Sequence, residues 1–121
     1  MIGFTRINHI HICVAKHRLE EARLFYTDVM GLRQIHRPEV FPEPGHWFVI
    51  GDIELHIGVE DPRPLTIRHS AFEVADLDAA HTQLEKHGIT INEEPVIPGR
   101  IRFSFLDPFG NRMELMQIID Q

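Results

Sequence analysis

His9-Ile10-His11-Ile12-Cys13-Val14-Ala15 aligns without a gap on His69-Ser70-Ala71-Phe72-Glu73-Val74-Ala75, sixty residues further along. Each stretch alternates polar and apolar positions, the period of a half-buried β-strand. The segments downstream of each stretch repeat as well. After the first, residues 18–30 place Leu19, Ala22, Phe25 or Tyr26, and Val29 at helical spacing, and Gly31 stands where a glycine ends a helix. Residues 32–36 then read as a strand, 38–45 as a loop with three prolines, and 47–50 with 53–59 as a hairpin about Gly51-Asp52. After the second stretch Asp76 is a good N-cap. Leu77, Ala80 and Leu84 form a helical stripe, and Gly88 ends it. Residues 89–94 read as a strand and 95–99 as a loop. Two last strands, 100–106 and 112–118, flank the turn Asp107-Pro108-Phe109-Gly110-Asn111. The order is βαβββ, twice.

The predicted fold class is therefore α+β, tandem βαβββ modules in one domain over residues 1–121. The first module covers about 6–60, the linker 61–65, and the second module about 66–119. Each half is too short to bury its own sheet face, so the two are expected to share a core and form one open cup. Composition agrees with a globular chain: 43% hydrophobic, 25% charged, and no apolar run long enough to span a membrane. Acidic groups outnumber basic ones by 18 to 12, which disfavours nucleic-acid and anionic-membrane partners. No signal-peptide pattern opens the chain, so a cytoplasmic protein is expected. The lone cysteine, Cys13, excludes an intrachain disulfide and thiolate-rich zinc sites, and it reads as a small apolar strand residue. Phe4, Phe25, Phe103 and Phe105 read as core.

Histidine is in surplus, with nine in 121 residues. His17, His36, His46, His81 and His87 fall in polar or turn-like contexts and read as surface. His9, His11, His56 and His69 lie inside strand patterns. Strand alternation sends His9 and His11, His69, Glu54 and His56, and Glu114 to the face opposite the helices. Several imidazoles and a carboxylate converging in a cup are costly to desolvate unless paired or bound to a cation. A nitrogen and oxygen donor set without thiolate suits one divalent ion such as zinc, iron, nickel or manganese. His9 and His69, equivalent by repeat, and Glu114 on the same face are the leading metal candidates.

Asn8-His9-Ile10, Phe25-Tyr26-Thr27-Asp28-Val29-Met30-Gly31-Leu32, Arg68-His69-Ser70-Ala71-Phe72 and the run from Leu106 to Leu115 together resemble signature strings of the vicinal-oxygen-chelate (VOC) superfamily. This is the glyoxalase, bleomycin-resistance and extradiol (dihydroxybiphenyl) dioxygenase fold. The resemblance implies metal ligands on the first and fourth strands of each module: His9, His69, Glu114 and one residue of the 53–59 strand. The repeat offset of sixty favours Glu54 for that fourth place. Family register favours His56, five residues after the hairpin glycine, and His56 is preferred. Glu54 is kept as a base or alternative ligand, with Glu114 the other candidate catalytic carboxylate. His11, Arg102, Ser104 and Trp47 are candidate substrate-pocket residues, Arg102 for an anionic group.

The same resemblance implies a small-molecule substrate and a homodimer. The activity it implies first is a metal-dependent lyase or isomerase acting on a small oxygenated compound through a chelated enediolate. An iron-dependent ring-cleaving dioxygenase and a metal-free drug-binding protein are the alternatives. Histidine at position 56 departs from the two-His, two-Glu set of glyoxalase I.

Overall fold

The computed structural model describes residues 1–119. The chain divides into two compact units, one running from Met1 to Pro62 and the other beginning at Arg63. Each contains one βαβββ module. In the first, β1 (His9–Val14) is followed by α1 (Leu19–Leu24), β2 (Arg33–Ile35), β3 (His46–Ile50) and β4 (Ile53–Val59). In the second, β5 (His69–Glu73) is followed by α2 (Leu77–Lys86), β6 (Asn92–Glu93), β7 (Arg100–Leu106) and β8 (Arg112–Ile118). The sheets are ordered β1-β4-β3-β2 and β5-β8-β7-β6. In both, the first strand pairs parallel with the fourth, and the remaining pairs are antiparallel.

One face of each sheet is apolar. In the first module Val14, Phe48, Leu55 and Ile57 are buried on it. Tyr26, which has no exposed surface, brings its ring to 6.2 Å from Phe48. In the second module Phe103, Phe105, Met113 and Leu115 occupy the same face, with Leu77 and Leu84 of α2. The Leu77 amide donates to Gln117 Oε1 at 2.9 Å and fixes the start of α2 on β8. Each such buried side chain contributes roughly 1.5–3 kcal/mol, and this apolar layer holds each module's helix to its sheet.

Four local expectations are corrected. The helix foreseen over residues 18–30 is not uniform. A 3-10 turn (Lys16–Arg18) precedes α1, and a π turn (Phe25–Val29) follows it. There the Met30 amide donates to the Phe25 carbonyl at 3.0 Å, and the Thr27 hydroxyl caps the Arg23 carbonyl at 2.9 Å. Widening the turn lets Phe25 and Tyr26, consecutive in sequence, both be buried, where an α-helix pattern allowed one or the other. The strand foreseen over 89–94 is only Asn92–Glu93. Phe4, read as core, is 88% exposed in the N-terminal segment. His46, read as surface, is half-buried in β3 on the apolar face, its ring 6.5 Å from Phe48. Among the described residues no helix is long and apolar enough to cross a membrane.

Candidate functional site

In each module the polar candidates lie on the sheet face away from the apolar layer. In the first, the parallel register sets His9 beside Glu54 and His11 beside His56, while Trp47 lies across from His56. The buried His56 ring is sandwiched. Trp47 stacks on it at 3.9 Å with an interplanar angle of 1°, and His9 stacks on the other side at 4.0 Å. His56 Nε2 lies 2.8 Å from Glu54 Oε1. His9 Nδ1 is 2.9 Å from Asn8 Oδ1, an acceptor, which leaves Nε2 with its lone pair.

The second module presents His69, Glu114, Arg102 and Ser104 on its corresponding face. Glu114 is buried, and its Oε1 is shared between His69 Nε2 at 3.3 Å and Arg102 Nη1 at 3.1 Å. His69 Nδ1 donates to the Ile67 carbonyl at 2.9 Å. Arg102 also donates twice to the Pro95 carbonyl. Ser104, fully buried, donates to Glu94 Oε1, which accepts from Arg112 as well. The Ser104 hydroxyl, ahead of the Arg112 and Arg102 charges, holds the Glu94 carboxyl below its ordinary value. Ser104 and Arg102 are thus already engaged by carboxylates.

The registers decide which residue of β4 corresponds to Glu114. On β8, Arg112 lies beside His69 and Glu114 beside Ala71. On β4, Glu54 lies beside His9 and His56 beside His11. His56 is therefore the structural counterpart of Glu114, and Glu54 that of Arg112. The burial pattern agrees, since Leu55, His56 and Ile57 are buried as Met113, Glu114 and Leu115 are. The offset of sixty that links the first strands falls to fifty-eight at the fourth, because the first module carries two more residues between them.

Among the described residues no three His, Cys, Asp or Glu side chains form a ready metal cluster. His9, Glu54 and His56 belong to the first module, His69 and Glu114 to the second. The donor chemistry nevertheless fits a divalent ion. Both repeat-related histidines have Nδ1 committed to an oxygen acceptor, the arrangement that fixes a metal-binding imidazole's tautomer and orientation. His69 Nε2 facing a carboxylate oxygen is repulsive unless a proton or a cation lies between them.

Two features escaped the sequence reading. Gly58 lies under the His11 ring: a Cβ there would come within 2.7 Å of His11 Cε1. A glycine inside a strand is the signal that marks such close approach. A Cβ on Gly45 would meet the Ile57 carbonyl oxygen at 2.5 Å and then Arg37 Nε at 2.9 Å. Burial, then the charges of His56 and His9, lower the pKa of His11, with Glu60 opposing and Arg37 reinforcing. Cys13 is half-buried, its Sγ 3.7 Å from His11 Nδ1.

Comparison with known proteins places this geometry in a family. The model of the Glyoxalase/Bleomycin resistance protein/Dioxygenase superfamily matches residues 6–115, and the chain belongs to that superfamily. An uncharacterized Escherichia coli protein, YaeR, is 32% identical over 97% of this chain and 99% of its own length. A crystal structure from Bacillus anthracis, assigned to the glyoxalase family, is 37% identical with a TM-score of 0.88, covering 98% of this chain and 99% of that one. The fold is shared more distantly with a FosX fosfomycin resistance protein of Listeria monocytogenes, solved with Mn(II) and a dihydroxypropylphosphonic acid. There the identity is 18%, the TM-score 0.82, and the coverage 98% and 95% of the two chains.

Proposed function

We propose that the protein is a metal-dependent lyase or isomerase that removes a proton beside a carbonyl or similar oxygen-bearing carbon of a small substrate. The observation that carries this reading is the setting of His69. Its Nδ1–H is spent on the Ile67 carbonyl, and its Nε2 is turned onto the buried Glu114 carboxylate. On the family resemblance, the proposed divalent-ion ligands are His9 and His56 in the first module and His69 and Glu114 in the second. When bound, that ion would supply Lewis-acid stabilisation of negative charge developing on neighbouring substrate oxygens. The occurrence of Mn(II) with a diol phosphonate in a protein of this fold agrees with that chemistry.

The chain's own residues divide the remaining work. Glu54 is the base: its carboxylate is 36% exposed, so a substrate proton can reach it, and His56 Nε2 orients it. Glu114, only 8% exposed and held by His69 and Arg102, is an anchor, not a base. Trp47 and His9 fix the plane of the His56 ring between them. A homodimer is also proposed on the family resemblance, to be read by light scattering.

The test combines metal uptake with proton exchange. Elemental analysis is expected to give about one divalent ion per chain, with uptake lost in Glu114→Gln. His56→Ala is expected to weaken metal affinity by more than about 100-fold, beyond the loss typical of an outer-shell partner. Glu54→Gln should keep the metal. It should slow exchange of the α-protons of small α-hydroxy ketones into D2O, followed by proton NMR, by roughly 10²–10⁴-fold. Metal lost in Glu54→Gln but kept in His56→Ala would reverse the two roles. Oxygen consumption with iron alone would replace the reading by ring-cleaving dioxygenation, and no uptake by the native chain would leave a metal-free binding protein.

A further inference from the structure

We propose that Arg37, with His11 beside it, anchors an anionic group of the substrate, a carboxylate or a phosphonate-like oxyanion. This rests on the proposed function in one respect: the face carrying His9, Glu54 and His56 is taken as the substrate face.

Two glycines lie against this pair. Gly58 is in β4, and Gly45 directly precedes β3, whose first residue, His46, pairs with Ile57. A Cβ at Gly58 would lie 2.8 Å from His11 Nε2; a Cβ at Gly45 would meet the Ile57 carbonyl oxygen first, at 2.5 Å, and then Arg37 Nε at 2.9 Å and its Cζ at 3.1 Å. The His11 imidazole therefore occupies space that a side chain at Gly58 would fill, on the sheet face of His56 and Trp47, while the Arg37 guanidinium lies against Gly45 just before β3.

The Arg37 cation is half-buried, and among the described residues no carboxylate pairs with it. Its Nη2 donates to the Glu43 carbonyl at 3.0 Å, and its Cζ lies 4.6 Å over the Phe41 ring. The Glu43 carboxylate is turned to Lys16 instead. A partly desolvated guanidinium without a counter-ion, stacked and held by one carbonyl, keeps donors of its fork for an incoming oxyanion. The second module offers a contrast. Arg102 of β7 likewise holds a loop carbonyl, that of Pro95, but Glu114 neutralises it. Of these two guanidinium groups, Arg37 is the one left for a ligand. The acids that face this pair are Glu60, whose charge acts on His11, and Glu54, which is occupied by His56.

Trp47 supplies the readout, being the single tryptophan and lying 5.9 Å from Phe41. The full chain would be titrated in EDTA with methylphosphonate, with glycolate, and with neutral propanediol, following Trp47 fluorescence and the arginine Nε–H resonances. A saturable response to one or both anions and none to the diol is expected; which anion binds identifies the group. Arg37→Gln should weaken that binding by about tenfold or more, the loss of a charge-assisted forked contact. Arg37→Lys keeps charge and stem without the fork, and should melt as the native chain does while binding several-fold more weakly. Absence of anion binding in the native chain, equal binding of the diol, or undiminished affinity in a folded Arg37 variant would overturn the proposal. Because EDTA removes metal, this outcome is independent of metal uptake. Failure of uptake would remove the lyase or isomerase reading and leave the anion site standing, and the converse also holds.

Discussion

Glu114 illustrates at the residue scale how one carboxylate can be reserved. Its Oε1 meets both His69 and Arg102, and its side chain is 8% exposed while that of Arg102 is 14% exposed. Removing the arginine leaves a buried charge without its cation, so Arg102→Met is expected to destabilise the metal-free protein by about 2–4 kcal/mol. A divalent ion held by Glu114 would take over the lost neutralisation. The rise in melting temperature on adding metal should then be larger in Arg102→Met than in the native chain, by calorimetry at matched metal excess. Equal rises would mean that Arg102 and the ion do not share this carboxylate. Strand parity in the sequence was enough to put His69, Arg102, Ser104 and Glu114 on one face. It could not say that Arg102 spends its charge inside the protein, because such pairing depends on where the loop carrying Pro95 comes to rest.

Strands and turns were more legible than helices at the scale of the element, and Asp107 shows why. The run Asp107-Pro108-Phe109-Gly110-Asn111 announces a turn by composition, and the structure makes Asp107 its organiser. The buried carboxylate accepts from the Phe109 amide at 2.9 Å, the Asn111 amide at 2.7 Å and Asn111 Nδ2 at 3.0 Å, while Gly110 takes φ 93°. Asp107→Ala would strand these donors and is expected to cost about 2–4 kcal/mol, with Asp107→Asn costing less, read by urea unfolding. An unchanged midpoint in the alanine variant would show that the hairpin holds without its carboxylate. Alternation of side chains is set by the strand itself, which is why β1, β4, β5, β7 and β8 could be read directly. The π turn at Phe25–Val29 is set by burying two adjacent aromatic rings, a tertiary demand that no helical periodicity encodes. The Glu54–Glu114 offset misled for a similar reason, since two extra residues upstream move the register without altering either strand's pattern.

Nine histidines make pH a property of the whole molecule, because full protonation takes the formal charge from −6 to +3. Their number gives no direction to the stability change; individual burial does. Desolvation is the main cause that lowers the pKa of His46, with Arg23 and Arg37 reinforcing it against Glu20. His46 Nδ1 also accepts from Gln34 Nε2 at 3.1 Å, a bond that protonation would remove. The unfolded chain takes up this proton near pH 6.5, whereas the folded chain does so only at lower pH. Between those values the unfolded state binds more protons. Stability should therefore fall as the pH drops through about 6.5, and the loss is complete below the folded value. The native protein in EDTA is thus expected to unfold at lower urea at about pH 5.5 than at about pH 7.5. His46→Gln, which can still pair with Gln34 but cannot titrate, should lose less stability over that interval. If His46→Gln shows the full native drop, the acid sensitivity arises elsewhere in the histidine population and burial of His46 is not its cause.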